Sequence, residues 1–128
     1  MRVLLDAHAL LWFVWGHPHL SSVAENLMAG ADNELVLSTG TVWEIAIKVS
    51  LGKLTLAHPF EVFMERAIVE NSLTVLPITV KHAAALTALP FHHRDPFDRL
   101  LAAQAIVEGI PIVSADLTFD AYGLNRVW

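Results

Sequence analysis

Short apolar runs alternate along this chain with longer stretches in which apolar residues recur at helical spacing. Arg2 to Asp6 carries the run Val-Leu-Leu and ends in an acid, and Glu34 to Ser38, Leu73 to Leu76 and Pro111 to Ser114 are further short apolar runs, the last followed by Asp116. Runs of this length without polar alternation read as strands buried on both faces. A last short strand is predicted at Arg126 to Trp128.

The intervening segments carry start and stop signals for helices. His8 to Trp15 is a mostly apolar helix stopping near Gly16, and Ser21 or Ser22 caps a second that reaches about Ala29. Thr41-Val42-Trp43-Glu44 has the form of a capping box, opening a helix that runs to about Leu51 with Gly52 as its stop. Pro59 starts an amphipathic helix with Phe60, Phe63, Ala67 and Ile68 on one side, and Thr79 caps the helix that ends before Pro90. Asp95 and Pro96 read as an N-cap and a first helical residue, in a helix that Gly109 stops.

Strands alternating with helices imply βαβ units, hence a three-layer α/β/α sandwich with a central parallel sheet. In such folds ligands bind at the carboxyl ends of the strands, where the following helices begin. The chain has 128 residues and no repeat, low-complexity tract or linker, so a single domain over 1–128 is expected.

Four acids fall on that edge. Asp6 ends the first strand, Asp116 follows the fourth, Glu44 lies in the first turn of the helix after ELVLS, and Asp98 sits in the first turn of the helix running back to the fourth strand. Each has a plain structural explanation. Asp6 can cap a helix, Glu44 can complete its capping box or pair with Lys48, Asp116 can sit in a turn, and Asp98 can complement the helix dipole. Together those explanations leave mutual repulsion unaccounted for. Asp98 also lies on the face of Leu101, Ala102 and Ala105, which is expected to be buried.

Clustered carboxylates raise one another's pKa or recruit a cation. Oxygen-only ligation suits Mg²⁺ or Mn²⁺ better than zinc, and such ions support phosphodiester hydrolysis. A zinc site is disfavoured: His17-Pro18-His19 and His92-His93 lack helical i, i+4 spacing and an obvious third ligand. His93, Arg94, Arg99, Lys48 and Lys53 are basic candidates for contact with substrate phosphate, against the default of solvated or salt-bridged surface.

Composition narrows the picture. A net charge of −5 argues against broad binding to duplex nucleic acid, though carboxylates that hold cations still permit nucleic-acid chemistry. With 55% hydrophobic and 16% charged residues, the chain is apolar enough to predict self-association or a tight partner. It has no cysteine, which excludes disulfides and thiolate metal sites, and the run from Val3 to Trp15 is too short to span a bilayer. A soluble cytoplasmic protein is expected.

The stretches LLDAHALLW, STGTVWEIAIKVSLGKL, HRDPFDRLLAAQA and IVSADLTF, in this order and spacing, resemble the PIN-domain ribonucleases, and specifically the VapC toxins of type II toxin–antitoxin modules. The resemblance runs from the first strand to the last. It implies an α/β/α sandwich, a Mg²⁺- or Mn²⁺-dependent acidic site that cleaves RNA, a homodimer, and inhibition by a VapB-like antitoxin. By motif it assigns Asp6, Glu44, Asp98 and Asp116 as metal ligands and catalytic acids. Two departures stand out. Ala7 occupies a position that often carries a hydroxyl residue in the family, and Asp95 is an additional acid that either ligates or only caps the helix. Asp120 is a further outer-sphere candidate. The competing expectations are a PIN-like nuclease of RNA processing or one acting on DNA, and a partner-binding module with a degenerate site.

Overall fold

A computed structural model describes residues Met1 to Trp128. The chain runs β1 (Arg2–Leu5), α1 (Ala7–Trp15), α2 (Ser22–Ala29), β2 (Glu34–Ser38), α3 (Thr39–Ser50), α4 (Phe60–Glu70), β3 (Thr74–Leu76), α5 (Val80–Thr87), α6 (Pro96–Glu108), β4 (Ile112–Val113), a 3₁₀ turn (Leu117–Tyr122) and β5 (Arg126–Val127). The strands form one sheet in the order β3-β2-β1-β4-β5, and every pairing is parallel.

Period-two alternation divides the core between the two faces of the sheet. Val3, Leu5, Leu35, Leu37 and Val113 pack under α1, α2 and α4 with Leu10, Met28 and Phe63. Leu4, Val36 and Ile112 face the other way, against Leu101, Ala102 and Ala105 of α6 and Phe119 of the 3₁₀ turn. Helices on both faces explain why the strands read as uninterrupted apolar runs, and they make the three layers of the α/β/α sandwich. Leu4 and Leu5 are fully buried, so truncating either to alanine costs about 2 to 5 kcal/mol.

Connectivity places the site. From β1 the chain builds outward through β2 to β3, then returns to lay β4 on the other side of β1, with Leu4 beside Ile112 and Leu5 beside Val113. The carboxyl ends of β1 and β4 therefore flank the topological switch point, where doubly wound sheets open a crevice.

One boundary differs from the expectation. α3 begins at Thr39 with Ser38 as its cap, whose hydroxyl accepts from the Gly40 N–H at 3.1 Å, while Thr41 is buried inside the helix with its hydroxyl unpartnered. Packing decides this: α3 meets α6 at Gly40, where a Cβ would run into Leu100. The capping-box pattern at Thr41 to Glu44 is a local signal that tertiary contact overrides. Glu44 consequently lies in the second turn of α3. The other signals act as expected: Gly16 and Gly109 end α1 and α6 in left-handed conformation, and Asp95 with Pro96 opens α6.

Candidate active site

Asp6 leaves the end of β1 and serves two purposes. Its Oδ1 accepts the Ala9 N–H at 2.8 Å, which caps α1, and the same residue is buried at the crevice. Burial pushes its carboxyl up, against the hydrogen bonds from Ser114 and Ala9, and Glu44 adds like-charge repulsion in the same direction. Ser114, at the end of β4, lies between two of the acids, because its hydroxyl also accepts the Asp116 N–H at 3.0 Å. Asp116 in turn caps the 3₁₀ turn, its Oδ1 accepting from Thr118 N–H at 2.9 Å.

Asp95 and Asp98 share one turn and part in role. The Asp95 Oδ1 accepts from both Phe97 and Asp98 N–H groups, at 2.7 and 3.1 Å, and is the cap of α6. The Asp98 carboxylate has no hydrogen-bonded or ion-paired partner. Burial pushes its pKa up to about 6, with repulsion from Asp95, Glu44 and Asp116 adding to the rise and His93 partly offsetting it.

Asp98 is where the acids meet. Asp6, Glu44, Asp95 and Asp98 line one pocket of about 170 Å³. On the other side of Asp98, one ligand atom each from His93, Asp98 and Asp116 lie within 4.8 Å of one another. Acids from β1, α3, α6 and the loop after β4 thus converge, as their places in the sequence predict. A larger groove, about 520 Å³, lies at the opposite edge of the sheet beside Ile106, Pro111 and Leu124, and it carries no carboxylate.

These residues fit a divalent cation. The acids supply carboxylate oxygens, the type Mg²⁺ and Mn²⁺ take, and a cation there would offset the burial and the like-charge crowding that raise the Asp98 pKa.

The residue that the sequence placed only at the border is His93. It is buried, and its Nε2 lies 2.7 Å from Asp116 Oδ2. The Tyr122 hydroxyl accepts the His93 backbone N–H at 3.0 Å and lies 2.9 Å from Nδ1. Having accepted from the backbone, the phenol has one proton to give, and it goes to Nδ1, which leaves the imidazole proton on Nε2 to be donated to Asp116. Burial pushes the Asp116 carboxyl up, but the bonds from His93 and Thr118 outweigh it and hold the pKa below the ordinary value. Nothing local in the sequence marks this chain of contacts, because its partners come from three separate segments.

The basic candidates separate. Lys48 pairs with Glu44 at 2.9 Å on the rim of the acid pocket, and Arg94 is exposed on the loop before α6. Arg99 does not fit its expected contact with substrate. It is buried, donates to the carbonyls of Pro90 and Leu89 at 3.0 and 3.3 Å, and stacks on Phe91, so it ties the α5–α6 connection together. Its place on α6 turns it away from the acids at Asp98, one residue earlier. Asp120 is likewise committed, to Arg126 at 3.0 Å.

A parallel sheet with an acidic crevice at its switch point defines a class, and comparison with known proteins agrees. The PIN domain family matches residues 3–124, and the chain belongs to that family. It is 34% identical to Ribonuclease VapC22 of Mycobacterium tuberculosis over 115 residues, which are 89% of this chain and 86% of that protein. Its fold is similar to VapBC2 from Rickettsia felis, solved bound to a promoter DNA fragment, with a TM-score of 0.71 at 18% identity over 98% of this chain and 97% of that one. FitAcB from Neisseria gonorrhoeae gives a TM-score of 0.67 at 18% identity over 97% and 95% of the two chains. No helix is long and apolar enough to cross a membrane.

Proposed function

We propose that this protein is a divalent-metal-dependent endoribonuclease and the toxin of a type II toxin–antitoxin pair. The observation that carries the reading is the convergence of Asp6, Glu44 and Asp116 on Asp98, a carboxylate with no partner of its own. The likeness to Ribonuclease VapC22 supports RNA as the substrate, and the solved VapBC relatives support a VapB-like antitoxin as partner. The cytoplasm is the compartment where that chemistry and that partner meet. The apolar composition, 55% hydrophobic residues, supports a homodimer, which sedimentation tests directly.

Asp6, Glu44, Asp98 and Asp116 would hold Mg²⁺ or Mn²⁺, with Asp95 capping the helix rather than ligating. The bound ion supplies charge neutralisation at the phosphate and activation of the attacking water. The chain's own residues provide the rest. Asp98 presents an unpaired carboxylate to the crevice, His93 and Tyr122 hold Asp116 in one orientation, and Lys48 and Arg94 stand at the rim to meet substrate phosphate.

Purified protein with Mg²⁺ or Mn²⁺ should cut RNA, chelation should stop the cleavage, and either ion should restore it. DNA tested in parallel separates an RNA from a DNA nuclease. Intact RNA together with no calorimetric metal binding at millimolar concentration would replace this reading with a partner-binding module, a substitute that Ala7 alone favours.

A further inference from the structure

Beside the acid pocket a second groove of about 220 Å³ runs along α1 and the end of α3, sharing Ala7, His8 and Lys48 with that pocket. The rings of His8, Trp12 and Trp15 and the side chains of Lys48 and Lys53 line it among aliphatic residues. Lys53 is exposed and pairs with no carboxylate. Left-handed Gly52 turns it back over α3, where its N–H donates to the Lys48 carbonyl at 2.9 Å.

The rings of His8 and Trp12 belong to a built column. His8 and Trp12 are four residues apart on α1, so they share a face, and their rings stack with centroids 5.3 Å apart at 30°. Left-handed Gly16 then reverses the chain so that the His17 N–H reaches the Trp12 carbonyl at 2.8 Å, and the His17 ring stacks on Trp12 at 5.7 Å and 22°. Trp128 and His19 hold the indole from its sides, at 5.8 and 5.4 Å. The column thus ends at His8, an exposed ring at the mouth of the acid pocket on which no further aromatic packs. Apart from its stacking on Trp12 that ring stands in solvent, while its neighbours Ala7 and Ala9 fill the core. The three histidines do not make a metal site: His17 Nδ1 already accepts the His19 N–H at 3.1 Å, and Trp12 separates His8 from His17.

We propose that this groove is a subsite for one unpaired nucleotide of the RNA next to the scissile phosphate, its base stacking on His8 and its backbone phosphate meeting Lys53. The inference rests on the nuclease reading and names the form of substrate it takes. Aromatic faces with adjacent cations are the general means of holding single-stranded nucleic acid, and a base stacked in a duplex is unavailable to such a column. Rings beside Lys53, whose charge no carboxylate of the chain neutralises, suit the base and the phosphate of one nucleotide together.

The test uses full-length protein, a mixed-sequence single-stranded oligoribonucleotide whose cleavage site has been mapped with the wild type, and the same sequence as a duplex. His8→Ala should weaken binding of the single strand about tenfold, with the effect on KM exceeding that on kcat, while His8→Phe retains the wild-type affinity. The phenylalanine arm separates stacking from the charge of a histidine near Asp6. An abasic nucleotide beside the scissile phosphate should weaken binding to the wild type and not to His8→Ala. Equal affinity of wild type and His8→Ala overturns the subsite. So does a His8→Ala protein that loses affinity for its antitoxin while binding RNA normally, which would give the groove to a peptide. Because binding is read apart from cleavage, wild-type protein that cuts no RNA counts against the nuclease reading instead.

Discussion

The two edges of the sheet use the same residue types to opposite ends. At the amino edge, Arg2 reaches Glu34 at 3.2 Å and Glu108 at 3.6 Å, Glu108 also meets buried His82 at 3.0 Å, and Glu34 accepts from the Thr74 hydroxyl. Glu34 and Glu108 thus both have donors supplied by the chain. The hydrogen bond from His82, with help from Arg2, holds the Glu108 carboxyl below its ordinary value. At the carboxyl edge, Asp98 faces three other acids with no donor, and its pKa stands at about 6. Glu34 and Glu108 are satisfied by the fold itself, whereas Asp98 is left without a donor. On the proposed nuclease reading, that difference separates acids that hold the fold from acids that do chemistry.

The comparison breaks most directly at Asp98. Asp98→Asn should lower RNA hydrolysis about a hundredfold or more, the scale of losing one preorganised electrostatic group. The same variant should melt higher than wild type in the absence of metal, because it removes one of the crowded charges. A metal-free protein that instead loses stability on this substitution would show that Asp98 is held by a partner, and the contrast between the edges would fail.

Much of this was legible in the chain because local and tertiary signals agree. The buried strands show as apolar runs since both faces are covered, and the caps at Asp95, Thr79 and Gly109 act within a few residues of themselves. Asp6, Glu44 and Asp116 were placed by topology, which follows from the order of strands and helices. The misplacements have a common physical cause. The start of α3 depends on Gly40 meeting Leu100, some sixty residues away, and His93 acquires its role from Tyr122 and Asp116. Arg99 looks like a phosphate ligand beside Asp98, yet the backbone carbonyls it satisfies are exposed to it only by the turn after α5. Periodicity reports which face a residue occupies, and contacts between distant segments decide what it finds there.

Tyr122→Phe sharpens the role of His93 with a smaller effect. The ring stays, so packing against Phe119 survives, but the imidazole loses the hydroxyl that fixes its proton on Nε2. Hydrolysis should fall about tenfold, within the range for partners that orient a metal ligand, while the melting temperature moves little. A Tyr122→Phe enzyme at full rate would reduce His93 to packing.

The pH dependence of metal binding is subtler. The raised Asp98 pKa means that the folded chain holds a proton there between the ordinary 3.8 and about 6. Its contribution to stability is full below the lower value and is lost as pH rises through the upper one. Mg²⁺ bound at Asp98 would compete with that proton and offset the loss. The rise in melting temperature on adding Mg²⁺ should therefore be slight near about pH 5 and grow toward about pH 7. A pH-independent rise would mean that the ion avoids Asp98.

The smallest effect belongs to the amino edge. His82 is fully buried, and its Nδ1 accepts the Thr79 N–H, so its remaining proton lies on Nε2 and points at Glu108. Glu108→Ala removes that acceptor and leaves Arg2 with Glu34 alone. Glu108 is partly exposed, so water can replace part of the lost bond, which limits the cost to about 1 kcal/mol. Chemical denaturation should show that loss of stability with RNA hydrolysis unchanged, the reverse of Asp98→Asn in both measurements. Should Glu108→Ala slow hydrolysis instead, the two edges are coupled through α6, whose first turn carries Asp98 and whose last turn carries Glu108.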